Sequence, residues 1–353
     1  MAEYMQLSFK TAQPIMEAAW KARRSLVFMG PPGVGKTAMV QQFADSVSVE
    51  LWTIICSGCD PTDMGGLPVV KADGCFERIP MRAILEAAGK GVILFFDEVS
   101  CAPQAVQATL LRGFHEGWFG DVKIHKDTWM VAACNPPEQS AGGGELATAF
   151  IGRNGVYDFL PTMDEVRTYF ENLGEEGSKL RAYGRDFAAT TYKAPDLVCM
   201  TPPENAITDA AQWAAPRNWD NGFQVLAQCD DPNPALVHRL MAGFVGAIAS
   251  SSWQGILKLR QYLPDESEIL MDPENAMVPE NPEYQAAAMG VLANVAAKDY
   301  WAAFVYAGRL GAEAGIVVAQ ILRGKPMKGS DKWRGKGMRA MTKLSSLHAR
   351  IGE

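Results

Sequence analysis

The sequence has no run approaching the ~20 uninterrupted apolar residues that a membrane-spanning helix needs. The best candidate, Tyr300 to Leu322, is broken by Arg309 and Glu313. The amino-terminal residues show no basic segment leading into an apolar one and a small-residue cleavage site, so no export signal is expected. Histidine is scarce, and His115, His125, His238 and His348 show no metal-ligand spacing. Seven cysteines, an odd number scattered along the chain, do not make a disulfide framework and fit a reduced, cytoplasmic setting. Cys56 and Cys59 form one C-x-x-C, but Cys75, Cys101 and Cys134 supply no second pair, so a four-ligand zinc site is not expected. An excess of positive charge is also missing. The 33 Lys+Arg against 40 Asp+Glu give a net charge of −7, which argues against general affinity for a nucleic-acid backbone.

What is present is a folded chain. The 353 residues, 48% hydrophobic and 21% charged, can bury a sizeable core, and roughly 100–200 residues per domain predicts two or three units. Helical spacing of Ile15, Ala18, Ala19 and Ala22 over Pro14 to Arg23 leads into the apolar run Leu26 to Met29. Further β-prone runs follow at Leu51 to Cys56, Val92 to Phe96, Trp129 to Ala133 and Tyr157 to Leu160, separated by helical patterns at Met81 to Gly89 and Gln104 to His115. Buried strands alternating with helices predict an α/β core with a five-stranded parallel sheet. Two hairpins should interrupt it, one at Leu67 to Pro80 around Ala72-Asp73-Gly74 and one at Trp118 to Trp129 around Gly120-Asp121, because such turns between apolar runs favour tight reversal.

After Pro161 the pattern turns helical, with segments at Met163 to Leu173 and Gln212 to Gln228. The passage Leu263 to Tyr284 holds seven acidic residues and no Lys or Arg, and Ala-rich helices are expected from Gln285 to Leu322. Trp301, Phe304 and Tyr306 there read as core. The last 33 residues carry nine Lys/Arg against Asp331 and Glu353, an asymmetry that predicts either a solvated terminus or a tail docked on an acidic surface.

Gly30-Pro31-Pro32-Gly33-Val34-Gly35-Lys36-Thr37 fits the P-loop pattern, followed by Ala38 at the head of a helix. Glycines let successive backbone N–H groups curl around a triphosphate, and the helix adds its positive end. Lys36 reaches phosphate as a point charge, and the Thr37 hydroxyl suits Mg²⁺, which takes oxygen ligands. Gly91 to Glu98 is a buried-strand pattern closing on two acids. Asp97 is placed to hold the Mg²⁺ through water, and Glu98 to orient or deprotonate an attacking water.

The order GPPGVGKT, DPTDMGGLP, ILFFDE, WMVAACNP and FIGRNG resembles AAA+ ATPases, specifically the MoxR-related branch of the dynein-related type, over about Phe9 to Gln228. That resemblance implies an AAA+ nucleotide-binding core over 1–160, a helical lid over 161–262, and a linker and carboxyl-terminal helical extension over 263–322, while the charge asymmetry sets off a basic tail over 323–353. It implies that Asn135 senses the γ-phosphate, that Arg153 enters a neighbouring subunit's site, and that Arg217 in Ala215-Pro216-Arg217-Asn218-Trp219 reaches the nucleotide from the lid. Asn154 follows Arg153 where the family has phenylalanine, and Arg112 is a second candidate for the shared arginine. The expected activity is Mg²⁺-dependent ATP hydrolysis by a ring, a hexamer, that remodels a protein partner, with a von Willebrand factor A domain protein as the implied partner. A nucleic-acid motor and a nucleotide-gated assembly protein with little turnover are the alternatives. Lys71, Arg78, Lys123 and Lys126 on the hairpins are interleaved with Asp73, Glu77, Asp121 and Asp127, which weakens the case for DNA.

Overall fold

The computed structural model describes residues 4–139, 144–191, 194–208, 211–260, 262–281, 284–285, 288, 291–292, 295–296, 298–310 and 328–351. The expected helices of 285–322 and the basic residues Arg323 and Lys325 lie partly or wholly outside them. The chain divides into two compact units, Met1–Ser250 and Ser251–Glu353.

The first unit is built on a sheet whose strands are β1 (Gln6–Leu7), β2 (Leu26–Met29), β3 (Leu51–Ile55), β6 (Ile93–Asp97), β9 (Trp129–Cys134) and β10 (Gly155–Phe159). The two antiparallel hairpins are β4 (Leu67–Val70) with β5 (Phe76–Ile79), and β7 (Trp118–Phe119) with β8 (Val122–Lys123). The sheet order is β1-β10-β2-β9-β6-β3, and every pairing in it is parallel. The five strands expected from the apolar runs are all present. The sixth, β1, is a two-residue edge too short to leave a pattern in sequence.

Side chains alternate between the two faces, as strand geometry requires. Leu94 and Phe96 pack with Val106, Leu110 and Phe114 on one face. Ile93 and Phe95 pack with Met16, Met39, Val40 and Phe43 on the other. All six residues of β9 are buried, which is why the central strands read as continuous apolar runs.

The first helix spans Phe9–Ala22 and contains Pro14, so it begins five residues before the expected Pro14 start. Proline marks a helix start in sequence because it fits the first turn. Here a local capping box marks the earlier start, with Ser8 N–H donating to Thr11 Oγ1 at 2.8 Å, and distant Glu165 reinforces it: one of its oxygens accepts from Lys10 N–H at 2.7 Å and from the Ser8 hydroxyl at 2.8 Å. Its other oxygen accepts from Thr162 N–H at 2.8 Å, closing the capping box of helix Met163–Glu171. Burial pushes the Glu165 carboxyl up, but the bonds from Lys10, Thr162 and Ser8 outweigh that and hold it below its usual range.

The turn of the second hairpin is tied to the base of the first. Asp121 N–H donates to Arg78 O at 3.0 Å, and Arg78 N–H donates to the Asp121 carboxylate at 2.8 Å. The outer strands carry exposed Leu67, Val70 and Phe76, and Lys71 is paired with Glu77.

In the second unit the apolar helix Tyr300–Leu310 packs against helix Asp331–Ile351 through Trp301, Tyr306, Trp333 and Leu344. Asp299 accepts from Trp301 N–H at 3.0 Å, Ala302 N–H at 3.1 Å and Ser330 N–H at 3.0 Å, joining the starts of both helices. Lys336 pairs with Glu274, and Lys332 Nζ donates to Met271 O at 3.3 Å. Part of the basic terminal helix therefore faces the acidic passage of the same unit.

Candidate functional site

The site lies within the first unit, at the carboxyl ends of the central strands, where ligands bind in open parallel sheets. From the end of β2 the chain turns through Gly30 to Gly35 into helix Lys36–Ser46. Gly33 and Gly35 take φ of 80° and 98°, a left-handed backbone that suits glycine. None of the N–H groups of Gly33, Val34 and Gly35 has an acceptor among the described residues. Together with the unsatisfied first turn of the helix they form a set of donors that suits an anion.

Lys36 is buried in this turn. Its Nζ donates to Gly30 O at 2.7 Å, Pro31 O at 2.9 Å and Asn135 Oδ1 at 2.7 Å. Removal from water lowers its pKa to about 8, although the charge of Asp97 pulls the other way. A triphosphate beside this ammonium would raise that pKa again. Binding above pH ~8 must then take up a proton, and affinity should fall as pH rises through that value. Calorimetry at about pH 7 and pH 9 in buffers of different ionisation enthalpy checks this. Equal affinity at both values, with no proton uptake, would place the ligand away from Lys36.

Thr37 Oγ1 donates to Asp97 Oδ2 at 2.9 Å. This hydroxyl and carboxylate are the oxygen donors that Mg²⁺ prefers, and in such sites phosphate and water complete the shell. Glu98 follows β6 with φ of 56°, an uncommon conformation for a non-glycine residue. Its N–H donates to Asp97 Oδ1 at 2.8 Å, and its carboxylate accepts from the Ser57 hydroxyl. Asn135 sits just past β9, the strand between β2 and β6, and its carbonyl accepts from the buried Ser100 hydroxyl at 3.2 Å.

Arg217 is the second residue of helix Pro216–Ala227, whose first position is proline. Its N–H donates to Gly33 O at 3.2 Å, so the helix start abuts the glycine turn. A cavity of about 300 Å³ brings together Pro32 to Ala38, Asp97, Glu98, Asn135 and Arg217. Gly30 and Pro31 act from beneath it, through their carbonyls on Lys36.

Arg153 is not in the cavity wall. It is exposed, and its guanidinium makes one bond among the described residues, to Ala149 O at 3.0 Å. Arg112 is engaged more fully, with Glu116 at 3.3 Å, Gly120 O at 3.0 Å and the Trp118 ring at 5.7 Å. Sequence reasoning missed Phe9, Ser57, Val166, Tyr169 and Asp220, of which all but Ser57 line the cavity. Ser57 was recoverable from strand order: Ile55 pairs with Asp97, so two residues further on the chain stands beside Glu98.

Residues 25–153 match the family model described as AAA domain (dynein-related subfamily). This segment is an AAA domain. It spans the P-loop, both acids, Asn135 and Arg153, and nucleotide hydrolysis is the general activity of such domains. Among solved structures, the chain is similar to a single-residue variant of RuvB from Thermotoga maritima, at 15% identity and a TM-score of 0.39, over 67% of this chain and 68% of that one. It is also similar to NtrX from Brucella abortus, at 15% identity and a TM-score of 0.41, over 96% of this chain and 68% of that one. No curated protein matches the chain by sequence. No helix among the described residues is long and apolar enough to cross a membrane.

Proposed function

We propose that the protein is a Mg²⁺-dependent ATPase of the MoxR-related kind that assembles as a ring, a hexamer, and uses hydrolysis to remodel or activate a protein partner. The observation that carries this reading is the convergence of Lys36, Thr37, Asp97, Glu98, Asn135 and Arg217 on one cavity, while Arg153 stands outside it, its guanidinium making a single bond among the described residues. The P-loop amides and Lys36 would hold the β- and γ-phosphates, and Thr37 and Asp97 the Mg²⁺, which when bound would neutralise charge on the phosphates. Glu98 is the base that would take the proton of an attacking water, and the Asn135 amide can bond both phosphate and water. Arg217 would respond to the nucleotide from the lid. Arg153 would serve the next subunit, where its planar fork stabilises charge spread over the transferred phosphoryl group.

A protein partner is favoured over nucleic acid by the first hairpin. Its exposed Leu67, Val70 and Phe76 offer apolar contact, and the nearby Lys71 is already neutralised by Glu77. The bonds between Arg78 of the first hairpin and the Asp121 turn of the second would couple the movement of the two insertions. A von Willebrand factor A domain protein is the partner that the MoxR resemblance proposes. The reading is tested by measuring ATP hydrolysis against protein concentration. Activity per chain should fall on dilution, because a site completed in trans is lost on dissociation. A rate per chain that does not depend on concentration, from a protein shown to be monomeric, would exclude the shared site.

A further inference from the structure

The cavity wall contains a carboxylate that phosphate binding does not explain. Arg217 N–H touches the P-loop at Gly33 O, and Asp220 stands three residues further along the same helix, hence on the same face and about one turn away from the loop. Asp220 lines the cavity beside Tyr169, which comes from helix Met163–Glu171. The Tyr169 hydroxyl donates to Asp220 Oδ2 at 2.7 Å, and Gln224 Nε2 donates to Asp220 Oδ1 at 2.9 Å. Burial, reinforced by the bond to Asp220, pushes the Tyr169 hydroxyl up in pKa, so it stays protonated and keeps that carboxylate oriented.

An anion facing a triphosphate site must avoid the phosphates and serve a neutral donor. An ionised carboxylate only accepts, and one bond taken at each oxygen leaves a lone pair on each. The part of a nucleotide next to its phosphates is the ribose, which presents two neighbouring hydroxyl donors. The same cavity wall also carries apolar Phe9, whose ring borders Gly35 of the P-loop, and Val166, a surface suited to the flat face of a base. We propose that Asp220, braced by Tyr169, accepts hydrogen bonds from the ribose 2′- and 3′-hydroxyls and makes the site selective for ribonucleotides over deoxyribonucleotides. This rests on reading the cavity as a nucleotide site.

The test is direct binding in the presence of Mg²⁺, with ATP, 2′-deoxy-ATP, 2′,3′-dideoxy-ATP and GTP as probes, on the unaltered protein and on Asp220→Ala. Hydrogen bonds to a charged group predict that dideoxy-ATP binds the unaltered protein about 10- to 100-fold more weakly than ATP. Asp220→Ala should weaken ATP to the dideoxy level and abolish the difference between the two. Equal affinity of the unaltered protein for ATP and dideoxy-ATP would overturn the proposal without needing any variant. Equal weakening of both ligands by Asp220→Ala would reduce the residue to a brace for Tyr169. A change confined to the ATP-to-GTP preference would assign the carboxylate to the base instead. If no triphosphate binds the unaltered protein, the nucleotide reading itself falls.

Discussion

Glu98→Gln should leave ATP bound and lower its turnover by about 10²- to 10⁴-fold, the range expected when a general base is removed. The substitution keeps the shape of the side chain and its acceptor for the Ser57 hydroxyl, and removes only the capacity to take a proton. Lys36, Thr37 and Asp97, which would hold the phosphates and the metal, keep their own partners. Affinity and turnover should therefore separate. Nucleotide affinity by calorimetry and phosphate release in single turnover measure the two independently. A variant that hydrolyses at the unaltered rate would remove Glu98 from the chemistry, whereas one that fails to bind would show that its charge supports the metal site. If the protein is a remodelling ring, this variant held in ATP is also the form in which a partner should be retained.

Arg153→Ala carries the other large effect, a loss of about 10³- to 10⁵-fold in turnover if its guanidinium completes a neighbour's site. A loss of activity alone would not distinguish a shared arginine from a local one, so the decisive measurement is complementation. Arg153→Ala subunits have an intact cavity, while Lys36→Ala subunits retain Arg153. Mixed together, they should regain activity that neither has alone, because each Arg153→Ala cavity can receive an arginine from a Lys36→Ala neighbour. Absence of rescue in a mixture shown to co-assemble would assign the arginine to its own chain. Arg112 provides a control. Its guanidinium is already committed to Glu116, Gly120 and the Trp118 ring, so its loss should loosen the second hairpin rather than abolish rescue.

Much of this arrangement was legible in one dimension. The P-loop depends on consecutive residues: glycines that admit positive φ, then a lysine and a hydroxyl where a helix begins. The acids at the end of β6 depend on a continuous apolar run that stops abruptly. Arg217 was placed by the proline before it, since proline fixes a first turn. Each of these follows from neighbours along the chain, and each stands where the local pattern predicted.

Other features left no such trace. The bonds that Glu165 adds at the start of the first helix come from more than 150 residues away. The left-handed turn at Glu98 holds its carboxylate against Ser57, 41 residues earlier in the chain. Tyr169 and Asp220 are 51 residues apart and meet only because helices Met163–Glu171 and Pro216–Ala227 both pack on helix Lys179–Thr191. An aromatic and an acid on separate amphipathic helices look like ordinary surface choices until that packing exists.

Residue order alone was therefore enough to specify the glycine turn with its lysine, the two acids that close β6 and the parallel α/β core, because those rest on backbone conformation and on the burial of adjacent residues. Which side chains form the remaining wall of the cavity, and which arginine stands outside it, depended on contacts between distant segments, and those follow from how helices and strands pack together.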